Sequence, residues 1–329
     1  MGASYIGLDV GGTKIAAARL SGGELQDHAL EPTDASDAEA LIAELCRAIE
    51  RVRTEDVAAV GVGLPSVVEF ATGRAKTSVN VPLHDVPVRE MLSERVGLPV
   101  FVDNDASVAA LAEACDGERI VVENLVMFTV GTGVGGGLVL GGRPYRGATG
   151  AAAEMGHTLV GLRLERGAPE AGPRFPQEGS LESVAAGTAL DRLAAEAVEE
   201  HPDSFLGRRK AEGDGTINGH DVVEGAREGD EIALGLLTML GERLGVGIAN
   251  AINLLDPDVV TIGGGVSSAG ELLLEPAARV ARSYTLPGVG ESTEIRLARH
   301  GTEAGVLGAA LLAKLETRRT TEESDEEGP

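Results

Sequence analysis

Three glycine-rich stretches and two acidic clusters in this sequence have residue types suited to chemistry. Asp9-Val10-Gly11-Gly12-Thr13-Lys14 sets a carboxylate, two glycines, a hydroxyl and an ammonium in six positions. Glycine lets backbone N–H groups approach an anion closely. Thr13 adds a hydroxyl donor and Lys14 a charge, and Asp9 is suited to hold Mg²⁺ through water, because that ion keeps several waters. Alone, the stretch also fits an ordinary hairpin. It is not a Walker loop, since no GK[ST] precedes a helix. Gly131-Thr132-Gly133-Val134-Gly135-Gly136-Gly137 repeats the pattern. Glycine within an apolar segment costs ~1 kcal/mol per residue against alanine, so this run marks either a bulge or a close approach of a ligand. Gly263-Gly264-Gly265 follows an apolar strand, a position that could accept adenosine, because open α/β sheets bind ligands at strand carboxyl ends.

Val102-Asp103-Asn104-Asp105-Ala106 places two carboxylates and an amide between a strand and an alanine-rich helix. Asp103 or Asn104 can cap that helix, which explains one polar residue but not three. Phosphoryl transfer to a hydroxyl needs a carboxylate to take the proton, and Asp105 is the candidate. Asn104 can both donate to and accept from sugar hydroxyls. Glu154-Met155-Gly156-His157 is a second polar cluster, in which His157 beside a carboxylate could be a metal ligand, a base, a binding group or a structural histidine. Glu182 stands at a helix start, where the helix dipole alone would favour an acid.

The elements that position these residues follow from periodicity. Strands are predicted at 5–10, 15–20 and 25–30, with a turn at Ser21-Gly22-Gly23, then a helix over 36–52 with apolar residues at helical spacing. Strands at 57–62 and 100–102 and a helix at 106–114 follow. Strands at 124–130 and 135–140 start the order again, before helices at 181–199 and 230–254 and a strand at 259–262. A strand–glycine turn–strand unit thus opens each half, as in a duplicated α/β domain. Residues 161–178 and 201–219 read as surface insertions, and 316–329 as a disordered acidic tail.

Fifty-two acidic residues face 28 basic ones, a net charge of −24, and only Lys14, Lys76, Lys210 and Lys314 are lysine. Such a surface repels nucleic acid and anionic lipid. It resembles proteins of salt-loving organisms. No stretch of 18 apolar residues is free of charge and glycine, and no basic region with an apolar run opens the chain. The expectation is a cytoplasmic protein with no nucleic-acid or membrane partner and with Cys46 and Cys115 as reduced thiols.

DVGGTK (9–14), DNDASVAALAE (103–113), TVGTGVGGGLVLGGRPYRGATGAAAEMGH (129–157), SLESVAAGTAL (180–190) and DPDVVTIGGGVS (256–267) together resemble the ROK family of sugar kinases and repressors. The similarity runs from residue 5 to about 314, in the family's order and spacing. The resemblance implies a two-domain ribonuclease H-like, actin–hexokinase ATPase fold with a cleft. The expected domains are 1–112 plus 305–329, and 113–304. It implies transfer of the γ-phosphate of ATP, with Mg²⁺, to a hexose, glucose before fructose, mannose or N-acetylmannosamine, in a homodimer or homotetramer. ADP and polyphosphate remain alternative donors.

On the same resemblance, Asn104, Asp105, Glu154, His157 and Glu182 match sugar ligands, with Asn80 a further one and Asp105 the base. Asp9, Gly11, Gly12, Thr13 and Lys14, with Thr132 and Gly133, match the phosphate side, and Gly263, Gly264 and Gly265 the adenosine side. Two departures stand out. Many relatives form a zinc site from the histidine of this motif and three cysteines, but no cysteine lies between His157 and Glu182, and Ser180 stands where the last would be. No structural zinc is therefore expected. Ser66, in Gly63-Leu64-Pro65-Ser66, stands where the family usually has glycine. The repressor alternative carries a helix-turn-helix domain before the DxGGT strand, which here starts at about residue 5. That leaves a sugar-responsive regulator without its DNA-binding domain as the rival reading.

Overall fold

The computed structural model describes residues 2–34, 36–78, 80–213 and 215–326. The chain forms two compact units: Met1–Leu125 with Gly137–Ala153 and Arg299–Pro329, and Val126–Gly136 with Glu154–Ala298. The boundaries expected at 112/113 and 304/305 therefore move. Residue 112 lies inside a helix, and buried Glu113 accepts the N–H groups of Arg299 (2.7 Å) and His300 (3.0 Å). Those bonds keep the returning chain with the first unit.

In the first unit β1 (Ser4–Val10), β2 (Lys14–Ser21) and β3 (Glu24–Pro32) form an antiparallel meander. Helix α1 (Ala38–Val52) follows, with Asp37 as its cap. β4 (Val57–Leu64) then runs parallel to β1. A hairpin of β5 (Ser66–Glu69) and β6 (Arg74–Ser78) leads to α2 (Val88–Val96) and to β7 (Val100–Asn104), parallel to β4. Helix α3 (Asp105–Ala114) and the short pair β8 (Cys115–Asp116) and β9 (Arg119–Ile120) complete this stretch. The sheet order is β3-β2-β1-β4-β7. Strand side chains alternate faces, so Ile6, Leu8 and Val10 join Leu41, Leu45 and Ile49 of α1 in one core, while Tyr5 joins Leu111 and Leu312 in another.

The order recurs. β10 (Leu125–Val130), β11 (Val134–Leu140) and β12 (Arg143–Pro144) precede five helices: α4 (Leu181–Ala185), α5 (Gly187–Glu200), α6 (Phe205–Glu212), α7 (Gly219–Arg227) and α8 (Glu231–Leu255). β13 (Val259–Gly263), α9 (Glu271–Tyr284) and β14 (Glu294–Leu297) follow, and α10 (Ala304–Glu326) belongs to the first unit. The second sheet reads β12-β11-β10-β13-β14, with β13 and β14 parallel. Both sheets thus follow the order third, second, first, fourth, fifth, so the repeat inferred from the sequence is one of topology.

Three expectations change. The helix predicted over 181–199 breaks at Ala186, whose extended backbone (φ −79°, ψ 166°) separates α4 from α5. The insertion predicted over 201–219 contains α6, started by Ser204 accepting the Gly207 N–H at 3.1 Å. The tail expected to be disordered from 316 continues α10 to Glu326, with Glu316 buried, and residues 327–329 lie outside the described residues. Extending a formed helix needs no new nucleus, and glutamate and arginine propagate it well. Among the described residues α8 is the one helix long and apolar enough to cross a membrane. Its stripe Leu236, Leu240, Leu244, Ile248 and Ile252 is buried, as in a core helix.

Candidate active site

The first unit presents Asp105 at the start of α3, just beyond the end of β7. Asn104 caps the helix: its Oδ1 accepts the Ser107 N–H at 3.0 Å. Its Nδ2 donates to Asp105 Oδ1 at 3.0 Å and lies 3.4 Å from the Ser66 carbonyl. Asp105 Oδ1 also accepts the Ala106 N–H at 2.8 Å. Two donors therefore fix the plane of this carboxylate, and the helix N-terminus favours its charge. The amide read from the sequence as a sugar group thus orients the carboxylate beside it.

The turn between β1 and β2 lies in the same unit. Gly11 N–H donates to the Lys14 carbonyl at 2.8 Å. Thr33 holds the turn from behind: its N–H donates to the Thr13 carbonyl (3.0 Å) and its hydroxyl to the Gly11 carbonyl (2.8 Å). Gly12, Thr13 and Lys14 are exposed, and the exposed Asn80 lies against Gly12. The structure thus places Asn80 beside the first glycine turn. Asp9 is seated against Gly305 in the first turn of α10, where a Cβ would come within 2.4 Å of the carboxylate carbon. Burial, then the neighbouring Asp105 charge, push the Asp9 carboxyl up to about 6, against the pull of Lys14. A cation bound there would relieve both effects, so this carboxylate fits Mg²⁺, a hard ion that takes oxygen ligands.

The second unit contains the counterpart turn. Gly131 N–H donates to the Gly133 carbonyl at 2.9 Å. The Gly131 carbonyl accepts the Gly187 N–H (2.7 Å) at the start of α5, and the Thr132 carbonyl accepts the Thr188 hydroxyl (3.0 Å). Glu182, in the first turn of α4, accepts the Val134 N–H on Oε2 at 2.8 Å. A Cβ on Gly133 would sit 2.3 Å from that oxygen. One oxygen of a residue expected to bind sugar is therefore tied to the second glycine turn.

Glu154 and His157 are exposed at either end of one 3₁₀ turn, with Nε2 and Oε2 3.9 Å apart. The Phe175 ring meets His157 edge-on at 5.4 Å. The loop around Phe175 is fastened by Gln177, which accepts the Gly172 N–H (2.7 Å) and donates to the carbonyls of Gly172 (2.8 Å) and Arg174 (2.9 Å). Ser180, at the position of the last family cysteine, is buried and caps α4. Of the third glycine cluster, Gly263 and Gly264 are packed against Met127 and the Val130 backbone, and Gly265 has open space at its Cβ position.

Thr33, Thr188 and Gly305 were not singled out from the sequence. Thr33 stands in no motif, and Thr188 stands inside SLESVAAGTAL (180–190), where nothing marks it apart from its neighbours. Gly305 had one signal, a glycine at the start of an apolar helix.

Residues 5–316 match the ROK family. The chain belongs to the ROK family. It is 38% identical to a glucokinase of Halalkalibacterium halodurans, over 94% of each chain. A ROK family glucokinase from Streptomyces griseus, crystallised with glucose and AMPPNP, is 34% identical with a TM-score of 0.76, covering 95% of this chain and 99% of that one. A ROK hexokinase from Thermus thermophilus is 36% identical with a TM-score of 0.74, covering 96% and 99%. The fold is accordingly the ribonuclease H-like, actin–hexokinase type.

Proposed function

We propose that this ROK chain is an ATP-dependent hexose kinase that converts glucose to glucose 6-phosphate, with Asp105 as the base. The observation that carries the reading is the Asp105 carboxylate, held at the N-terminus of α3 by Asn104 Nδ2 and the Ala106 N–H. The similarity to a glucokinase crystallised with glucose and an ATP analogue points the same way.

Asp105 takes the proton from the sugar hydroxyl as its oxygen attacks phosphorus, a role that needs an ionised carboxylate of fixed direction. Asn104 holds that direction and, with Glu154 and His157, binds the sugar hydroxyls. Glu182 holds the second turn by the Val134 N–H and offers its remaining carboxylate oxygen to the sugar. Thr13 and Lys14, with the amides of Gly11, Gly12, Thr132 and Gly133, bind phosphate oxygens and balance charge that spreads during transfer. Gly265 lies on the adenosine side. Asp9 would hold Mg²⁺ through water, and that ion, when bound, neutralises phosphate charge.

The same reading has no structural zinc: Ser180 caps a helix and Gln177 fastens the loop that cysteines would otherwise hold. The protein is a homodimer or homotetramer in this proposal, acting in the cytoplasm. A coupled assay across glucose, fructose, mannose and N-acetylmannosamine, with ATP, ADP and polyphosphate as donors, tests it. Glucose with ATP should give the highest kcat/KM. No phosphorylation of any hexose from any donor would contradict it.

A further inference from the structure

A buried charged group lies directly behind the proposed base, within the first unit. Asp103, the residue before Asn104, has a side chain only 3% exposed. Its Oδ1 accepts the Asn104 N–H at 2.9 Å, and its Oδ2 accepts Arg146 Nε at 2.7 Å. Arg146 is 18% exposed, has its guanidinium carbon over the Phe70 ring at 3.5 Å from the centroid, and has Glu316 of α10 at 3.7 Å, in ion-pair range. Phe70 is itself held by Arg89, whose guanidinium donates to the carbonyls of Phe70 and Ala71.

The Asp103 charge does not suit its surroundings alone. Burial pushes the Asp103 carboxyl up, and Arg146 opposes that. A buried ion pair of this kind is weak evidence of stabilisation, because apolar residues of similar volume often do as well. Its directionality is the distinctive feature. Nε is the nitrogen within the arginine side chain, so its bond to Oδ2 fixes the carboxylate plane when the guanidinium is itself clamped on Phe70. The other oxygen then fixes the Asn104 N–H, and Asn104 in turn both caps α3 and donates to Asp105.

We propose that Asp103 and Arg146 are positioning residues for the phosphoryl transfer: the pair sets the backbone at Asn104 and thereby the direction of the Asp105 carboxylate. This inference rests on the kinase reading given above. It predicts a loss in turnover that exceeds any loss in glucose affinity and leaves ATP affinity in place, because neither residue is placed at a substrate while Asn104, through which they act, also faces the sugar.

The test compares Arg146→Met, Asp103→Asn and the double variant with the wild type in steady-state kinetics, with melting temperature measured in parallel. The expected result is a fall in kcat of at least tenfold in each single variant, with KM for ATP within threefold and KM for glucose raised by a smaller factor than kcat falls. The double variant should be no slower than the slower single one, as for two residues acting as a unit. If Arg146→Met does not fold, Arg146→Lys decides by the same criterion, since it keeps the charge and loses Nε. Variants that keep kcat within twofold of the wild type, even with a lowered melting temperature, overturn the proposal and leave the kinase reading intact. A wild type that phosphorylates no hexose overturns both.

Discussion

The two glycine turns close alike and are furnished differently. In each, the first glycine's N–H bonds back to a carbonyl within the turn, at Lys14 in one and Gly133 in the other. In each, a threonine hydroxyl from elsewhere takes a turn carbonyl: Thr33 on Gly11, and Thr188 on Thr132. The remaining contacts diverge. The first turn has Asp9 behind it and Lys14 beyond it, both charged, whereas the second is held by Glu182 on the Val134 N–H and by the start of α5. A shared scaffold has thus been specialised. On the proposed function, one turn deals with the cation and charge, and the other offers backbone donors beside Glu182, which Gly133 leaves room for.

Damage to the first turn should therefore reach the chemistry, and damage to the second should reach nucleotide affinity. The largest effect is expected at Asp9. Asp9→Asn should lower kcat at saturating Mg²⁺-ATP by about a hundredfold or more, the scale of losing an electrostatic group at the reacting centre. The same substitution should stabilise the protein free of ligands at neutral pH. The folded carboxyl sits at about 6 against 3.8 unfolded. Its contribution to stability is therefore full below about pH 4 and lost as pH rises through about 6, an effect of up to about 3 kcal/mol. Thermal unfolding from pH 4 to 8 checks the sign. In the wild type, Mg²⁺ affinity should fall as pH drops through about 6, because the ion competes with the proton on Asp9.

Next in size is Gly133→Ala. Its Cβ would press on Glu182 Oε2, so the carboxylate must leave the Val134 N–H. KM for ATP should rise about tenfold and KM for glucose should rise with it, because Glu182 also faces the sugar, with kcat changed less, since one part-buried charge-assisted hydrogen bond is worth about 1.5–3 kcal/mol. The smallest effects are expected at the two threonines. Thr33→Val and Thr188→Val each remove one neutral hydrogen bond to a turn carbonyl, worth about 1 kcal/mol. Equal, few-fold losses in kcat/KM would support the shared scaffold. A large loss at one and none at the other would show that the resemblance between the turns is only geometric.

Much of this was legible in the sequence where local chemistry and period agree. The meander before α1, both glycine turns and the Asn104–Asp105 pair at a strand–helix junction stand in short segments whose pattern is self-contained. Contacts from distant chain were not legible. Gly305 is almost 300 residues from the Asp9 it accommodates, and nothing in either segment alone signals the pairing. Glu182 read as a first-turn acid, a correct local statement that gave no hint of Val134 as its partner. The break at Ala186 escaped because alanine favours helix, and the bonds of Gly187 and Thr188 to the second turn override that preference. The helical tail escaped for the opposite reason: its composition reads as disorder, but it extends a helix already nucleated in the core.

The central claim is that Asp105 takes the proton from the sugar hydroxyl. The most direct test pairs steady-state turnover of Asp105→Asn with calorimetric measurement of glucose binding to the same variant. The account predicts a fall in kcat of about 10²–10⁴-fold, with glucose affinity within severalfold of the wild type. Turnover close to the wild-type rate in a variant that still binds glucose would contradict it.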